Sequence, residues 1–441
     1  MRWILLGALL ALGCGDDSAP SDASSDARAD AAMDAAFDAP APDTSTDVPG
    51  ADTSVDTATD VPDIAVDLPG AIAGVEPESQ ANHPPMIDGN GYLYRVTESE
   101  QADGNNPRMM RSVDDGATWE EVDAANRPEA NDLEGCWQLQ VGTSIVLTVA
   151  ANNDVWFEVF NTSDAADRPD QWVLDEHVVD ELSNSGGVVQ FSSVAHTSDD
   201  RYWLFHSGTV RSGRQEIQYR RRAADGTWSD ASILGDPSGS WTGPRGVVGA
   251  GDVTHVFYTD YENAELYWRT LDLDGTLSAA TRIDVDGLSS ERIPHTNTVI
   301  YSVGGSEIMT VGWADADGAL WSARIVDGAV GAPEQITAEP VLEDPSVARN
   351  DGTVAHFAVD GSTVHVLWTD DASGDVLHAS RPHDGAWSAP EVAWDSGDDI
   401  AWWVYANVYE RRGRTRLGFT YDIGEHADDV GNIEYDEINL D

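Results

Sequence analysis

Lysine is absent. All 24 basic residues of the 441-residue chain are arginine, against 79 acidic ones, and the formal net charge is −55. A surface of that sign repels nucleic acid and anionic lipid, so neither is expected as a partner. Strong acidity without lysine fits a protein facing high salt, where screening weakens self-repulsion. A GC-rich coding sequence accounts for arginine in place of lysine equally well. Cysteine is scarce too. Cys14 and Cys136 are the only two, so no disulfide framework is expected, and Cys136, in the apolar run CWQLQV, reads as a buried thiol. Long apolar runs are confined to Ile4–Leu12, too short to span a bilayer as a mature helix. Long amphipathic helical patterns are missing throughout, which argues against a helical bundle or an α/β sheet.

The first residues, MRWILLGALLALGCGDD, place one arginine before that apolar run and then Gly13-Cys14. This is the layout of a signal peptide. LALGC resembles a bacterial lipobox, with Ala11 where leucine is usual. The resemblance implies that residues 1–14 are a lipoprotein signal ending in a lipidated Cys14. The alternative is an ordinary secretory signal with an incidental cysteine. Either way the expected destination is the cell envelope or the extracellular surface, with membrane contact only through the lipid.

Residues 15–70 are built from Asp, Ala, Ser, Thr and Pro, with Asp22, Asp26, Asp30, Asp34 and Asp38 at every fourth position. Such a segment repels itself and has little to bury, so it cannot offset its ordering entropy. A disordered, extended tether is expected. Regular carboxylates also suit calcium, but no glycine-containing loop organises them here.

From residue 71 the chain reads as all-β. HVFYTDYENAELYWRTLDLDGTLSAATRI, MTVGWADADGALWSARIVDGAVGAPEQI and HVLWTDDASGDVLHASRPHDGAWSAPEV share one plan. Each is an apolar strand, a turn, a second strand, an Asp-Gly turn and a short last strand. The Asp-Gly pairs stand at Asp115–Gly116, Asp225–Gly226, Asp274–Gly275, Asp327–Gly328 and Asp384–Gly385. They recur about every 50 residues once a skipped copy is allowed for, which marks a repeat architecture. The aspartate can accept backbone N–H bonds and the glycine supplies a positive φ.

The sharpest copy, SVDDGATW, matches S-x-D-x-G-x-T-W through Ser112, Asp114, Gly116, Thr118 and Trp119. It resembles the Asp box of sialidase-type and related BNR-repeat proteins. Other copies keep chiefly the D-G-x-(x)-W core, and two have Leu277 and Val330 in place of tryptophan. The resemblance covers about residues 85–440. It implies a β-propeller in which these motifs are structural, with Trp119, Trp228 and Trp387 packed at outer hairpins. Seven four-stranded blades are expected over residues 71–441, with six, as in sialidases proper, as the alternative. The seventh shows three clear strands, and one from about 68–78 would complete it and close the ring.

In a propeller the opening ends of the innermost strands converge on one face. That places His83, Glu134, Arg245, Arg292, His295, Trp403 and Tyr405 as candidates. Arg245, Arg292 and Trp403 are expected to bind substrate, the arginines by pairing with a sugar carboxylate. Arg292-Ile293-Pro294 is similar to the sialidase arginine motif, but follows three Asp-Gly turns where a sialidase has it before the first. A sialidase needs a tyrosine nucleophile beside a glutamate, which Tyr405 and Glu134 would supply. The chain also resembles BNR-type polysaccharide lyases, for which His83, His295, Tyr405 and an arginine are the required residue types. A non-catalytic module binding a glycan or a protein is the third class. A monomer is expected, with no cofactor and no metal at the site. Calcium stays open only as a structural ion for the acidic EHADDVGNIEYDE.

Overall fold

The computed structural model describes residues 84–441 apart from 98–106, 129–136, 152–153, 163–169, 180–188, 210–214, 236–240, 261–262, 284–297, 343–354, 398 and 425–431. Within these residues the protein is all-β, with two single-turn 3-10 helices. Seven antiparallel sheets follow one another along the chain: 86–122, 137–179, 189–233, 241–283, 298–337, 356–394 and 400–439. They are numbered blades 1 to 7. The seven-bladed reading holds and the six-bladed alternative falls. Blade 5 carries a small extra strand, and blade 7 shows three strands. The proposed closing strand at 68–78, the tether, the signal and both cysteines lie outside the described residues.

The first strand of each blade is innermost. These strands are Met86–Ile87, Trp137–Val141, Val189–His196, Trp241–Val248, Thr298–Val303, His356–Asp360 and Ile400–Arg411. From blade 2 round to blade 7 each touches the next, and the seventh touches the first. Across the remaining junction, between blades 1 and 2, the Gln140 side chain accepts from the Ile87 amide at 3.3 Å.

The apolar pattern explains the ring. A second strand such as Thr254–Asp260 is buried along its whole length. Successive side chains point to opposite sheet faces. Val256 and Tyr258 therefore enter the cluster between blades 3 and 4, while Phe257 enters the one between blades 4 and 5. Every blade junction has such a cluster, so the core is seven slabs rather than one centre. Burial on both faces is what makes these strands read as continuous apolar runs.

The 112–119 turn is a dense hydrogen-bond unit. Ser112 Oγ accepts from the Gly116 amide at 2.8 Å and donates to Asp114 at 2.9 Å. Asp114 also accepts from the Thr118 amide at 2.8 Å and the Thr118 hydroxyl at 2.6 Å. The Thr118 hydroxyl is the largest influence holding the Asp114 carboxyl below its ordinary range. Gly116 has φ +87°, and a Cβ there would lie 2.2 Å from the Tyr435 ring of blade 7.

The three turn tryptophans do more than cover their own hairpins. Trp119 of blade 1 packs edge-on against Tyr435 of blade 7. Trp228 of blade 3 packs on Phe157 and donates to Glu176 at 2.9 Å, both in blade 2. Trp387 of blade 6 donates to Ser322 of blade 5 at 3.0 Å. Each bolts its blade to the one before. An arginine reinforces two of the bolts: Arg222 pairs with Glu176 at 2.8 Å, and Arg381 with Glu334 at 2.7 Å.

One core position works against the fold. Glu158 of blade 2 shares a sheet face with Trp156 and Phe160, which pack into the cluster between blades 1 and 2. It is fully buried, and neither carboxylate oxygen has a hydrogen-bond partner among the described residues. Burial first, and Asp175 second, hold its carboxyl well above the ordinary 4.5. The folded state therefore keeps it protonated while the unfolded chain ionises. Its cost is absent below the unfolded pKa and grows as pH rises above it. Glu158→Met should stabilise by about 1–3 kcal/mol at pH 8, and by less toward pH 4. Denaturant titrations at the two pH values check this; equal or lower stability at pH 8 would contradict it.

Candidate functional site at the axial mouth

The inner strands of blades 3, 4 and 7 are each irregular near their opening end. Register shifts opposite His206/Ser207 in blade 3, between Thr242 and Arg245 in blade 4, and between Trp402 and Tyr405 in blade 7. In blade 4 the pair Gly243-Pro244 stands opposite the single residue Tyr258; in blade 7 Trp403-Val404 stands opposite Tyr421. Such bulges bend a strand and re-aim the residues beyond them. Here the residues immediately beyond are Arg245 and Tyr405.

The two bulges use the same backbone solution. Gly243 has φ +60° and Trp403 has φ +47°. Glycine adopts that region freely, whereas a bulky side chain pays roughly 1–2 kcal/mol. Trp403 is half-buried and packs against Trp402.

Beyond the bulges, side chains from non-adjacent blades meet. The Arg245 guanidinium lies 4.3 Å from the ring centre of Trp137, which opens the inner strand of blade 2. Trp137 stacks near His356, which opens that of blade 6, at 6.4 Å between centroids. His356 lies 5.4 Å from Tyr405 of blade 7. Blades 2, 4, 6 and 7 thus contribute to one Arg–Trp–His–Tyr chain across the axis. Arg245 donates to the carbonyl of Ser192, in blade 3, at 2.9 Å, and to its neighbour Pro244 at 3.3 Å. Ser192 is itself held by Thr148, donating to its carbonyl at 3.0 Å. Arg245 and His356 are each about 5% exposed.

Of the residues singled out by sequence, Arg245 and Tyr405 join this cluster, and Trp403 lies in the bulge two residues before Tyr405. His83, Glu134, Arg292 and His295 lie outside the described residues. Trp137 and His356 were missed. Each opens an inner strand, in CWQLQV and in VAHFAV, and that position was the available signal. Among the described residues no group of three His, Cys, Asp or Glu side chains is placed to hold a metal ion.

No protein-family model matches the chain, and no curated protein matches its sequence. Solved structures resemble it in chain path. Polysaccharide lyase Uly1 aligns with TM-score 0.49 at 9% identity, over 84% of this chain and 91% of its own. The α-L-arabinanase of Penicillium chrysogenum, complexed with arabinobiose, aligns at 0.43 and 12%, over 85% and 96%. A subtype N10 neuraminidase-like protein of the little yellow-shouldered bat strain aligns at 0.43 and 10%, over 84% and 97%. At these identities none of them transfers a site residue to this chain.

Proposed function

We propose that the propeller recognises an anionic glycan at its axial mouth. The observation that carries this reading is the Arg245–Trp137–His356–Tyr405 chain, drawn together from four blades. Aromatic faces suit the C–H faces of sugar rings, and a guanidinium suits a sugar carboxylate. The ligand class is a sialic- or uronic-acid saccharide. The 112–119 turn and its relatives act as structural Asp boxes, away from this site.

Two processing chemistries are open to such a site. A sialidase-like hydrolase requires an acidic partner for Tyr405, a role left to Glu134. β-Elimination is favoured by a specific observation: Arg245, His356 and Tyr405 share one cluster. In that reaction Arg245 would neutralise the uronate carboxylate. Tyr405 or His356 would take the C5 proton, the released electron pair would form the C4–C5 double bond, and the C4–O bond would break, its oxygen leaving with a proton. A lectin-like module uses the same contacts without bond breaking.

One assay separates these outcomes. The purified propeller is incubated with sialosides and with uronic-acid polysaccharides at several salt concentrations. Free sialic acid identifies a hydrolase, absorbance from unsaturated uronate ends a lyase, and retention without product a binding module. None of the three would sink the reading and favour a protein-interaction scaffold.

The tether and signal place this head at a membrane surface in the same proposal. Cys14→Ser should move the protein from the membrane to the soluble fraction. Membrane retention of the variant, with unprocessed wild type as the main species, would remove the lipoprotein assignment.

A further inference from the structure

We infer that Ser192 is a positioning residue of the axial site: it fixes the Arg245 guanidinium over the Trp137 ring, and so sets the preference for a saccharide carboxylate. The inference rests on the glycan reading above. It starts from the third bulged inner strand. In blade 3, Ser192 stands opposite His206 and Gln190 opposite Ser207, so Phe191 is the extra residue. Ser192 follows this bulge directly, as Arg245 and Tyr405 follow theirs. A bulge disrupts the ladder locally and bends the strand that carries it. The Ser192 carbonyl accepts from Arg245 Nη1, of the next blade, at 2.9 Å.

The Ser192 hydroxyl reaches the other way. It donates to the Thr148 carbonyl at 3.0 Å and lies 3.0 Å from the Thr148 hydroxyl. Thr148 belongs to the second strand of blade 2 and is the direct ladder partner of Trp137. The Arg245 guanidinium closes the circuit, 4.3 Å from the Trp137 ring centre. One residue of blade 3 therefore ties the arginine of blade 4 to the strand pair that carries the tryptophan of blade 2. Ser192 and Thr148 are fully buried, where a hydrogen bond is electrostatically stronger than in water. Arg245 Nη1 also donates to the Pro244 carbonyl at 3.3 Å, so both of its hydrogens are committed and the plane of the guanidinium is set. A planar fork meets a carboxylate in one geometry. A turn of that plane costs affinity for an acid sugar and little for its neutral ester. Ser192 acts on the ligand only through Arg245.

The test compares oligogalacturonate and a sialyl-oligosaccharide with their methyl esters, by calorimetry on the full chain at about 0.1 M salt. Wild type should prefer the acids. Ser192→Ala should lower that preference about three- to tenfold, the value of one hydrogen bond, while binding of the esters holds. In an Arg245→Met background the same substitution should change neither. Val194→Ala is the packing control: it lies two residues along the same strand, in the apolar cluster between blades 2 and 3. It should lower the unfolding midpoint and leave the preference intact. Ser192→Cys keeps the side chain's shape with a weaker donor, and should shift the preference in the same direction even if Ser192→Ala fails to fold. Unchanged preference in the Ser192 variants, or an equal loss for acid and ester, would overturn the inference. So would a full further loss in the Arg245→Met background, or a loss of preference as large in Val194→Ala. Wild type binding neither acid, or binding acid and ester alike, would remove the anionic-glycan reading and this inference with it.

Discussion

Trp119→Ala should destabilise the propeller by about 3–5 kcal/mol, the cost of emptying a well-packed aromatic site. The junction it serves, between blades 7 and 1, is where the ring closes. Among the described residues its apolar cluster has five buried members: Leu93, Met110, Trp119, Tyr409 and Tyr435. The rest of the junction is polar and charged. Arg95 is fully buried with its guanidinium 4.5 Å from the Trp119 ring, and donates to the Ile433 carbonyl at 3.3 Å. Burial pulls its pKa down to about 9, against the opposing pull of Asp422 and Glu434. Asp422 is fully buried as well and held far above its ordinary range by that burial, with Arg95 opposing. Tyr409 and Tyr435 hydrogen-bond to each other through their hydroxyls, and Tyr435 donates to Glu437 at 2.8 Å. Arg411 links Glu437 at 2.7 Å to Asp115 in the blade 1 turn at 3.4 Å.

Removing the indole takes away the lid over a buried charge as well as apolar area. A buried ion that loses its surroundings is costly, which puts the effect at the upper end of the range. Trp387→Ala is the comparison. Trp387 is only partly buried, at a junction with a much larger apolar cluster, and should lose less. Denaturant titrations of both variants, in buffer with enough salt to screen the net charge, provide the measurement. A loss below about 1 kcal/mol for Trp119→Ala, or a larger loss for Trp387→Ala, would show that the ring does not depend on this junction.

Arg245→Met should weaken binding of a carboxylate-bearing saccharide about ten- to a hundredfold, the value of a charge-assisted hydrogen bond. Methionine keeps much of the volume of the buried arginine stem, so folding should survive where alanine would open a gap. Arg245 is the only basic side chain other than His356 at the described opening ends of the inner strands. The surrounding molecule carries −55. An anion approaching it meets long-range repulsion before it meets the guanidinium. The Debye length falls from about 30 Å at 0.01 M salt to about 10 Å at 0.1 M. Salt therefore removes the repulsion first, while the buried pair is screened far less. Wild-type affinity should rise with salt over that range, opposite to the usual behaviour of an ion pair. Binding isotherms at several ionic strengths test both points. Full affinity in Arg245→Met would remove the guanidinium from the site, and affinity that falls steadily from the lowest salt would show that the ion pair, rather than long-range repulsion, governs the salt dependence.

Some of this was legible in the residues alone, and some was not. The blade count came from local signals: an apolar run on both faces of a strand, an aspartate that caps a turn, a glycine at positive φ. These depend on neighbours a few residues apart, so they survive in sequence. Even so, the Asp-Gly repeat conceals several turns. Asp114 accepts from Thr118, four residues on, whereas Asp225 accepts from Thr227, two residues on. Asp327 and Gly328 both have positive φ, while Gly385 does not.

What the tertiary structure decided was the site and the bolts. Trp137, Arg245, His356 and Tyr405 are separated by tens to hundreds of residues, and meet only because the ring brings opposite inner strands to one axis. The direction in which Arg245 and Tyr405 point depends on bulges, and a one-residue change of register reverses a strand's faces. Whether Glu158 faced solvent or a slab of core was settled the same way. Local sequence determined which strands and turns form; ring closure determined which of their side chains meet, because those contacts exist only between blades.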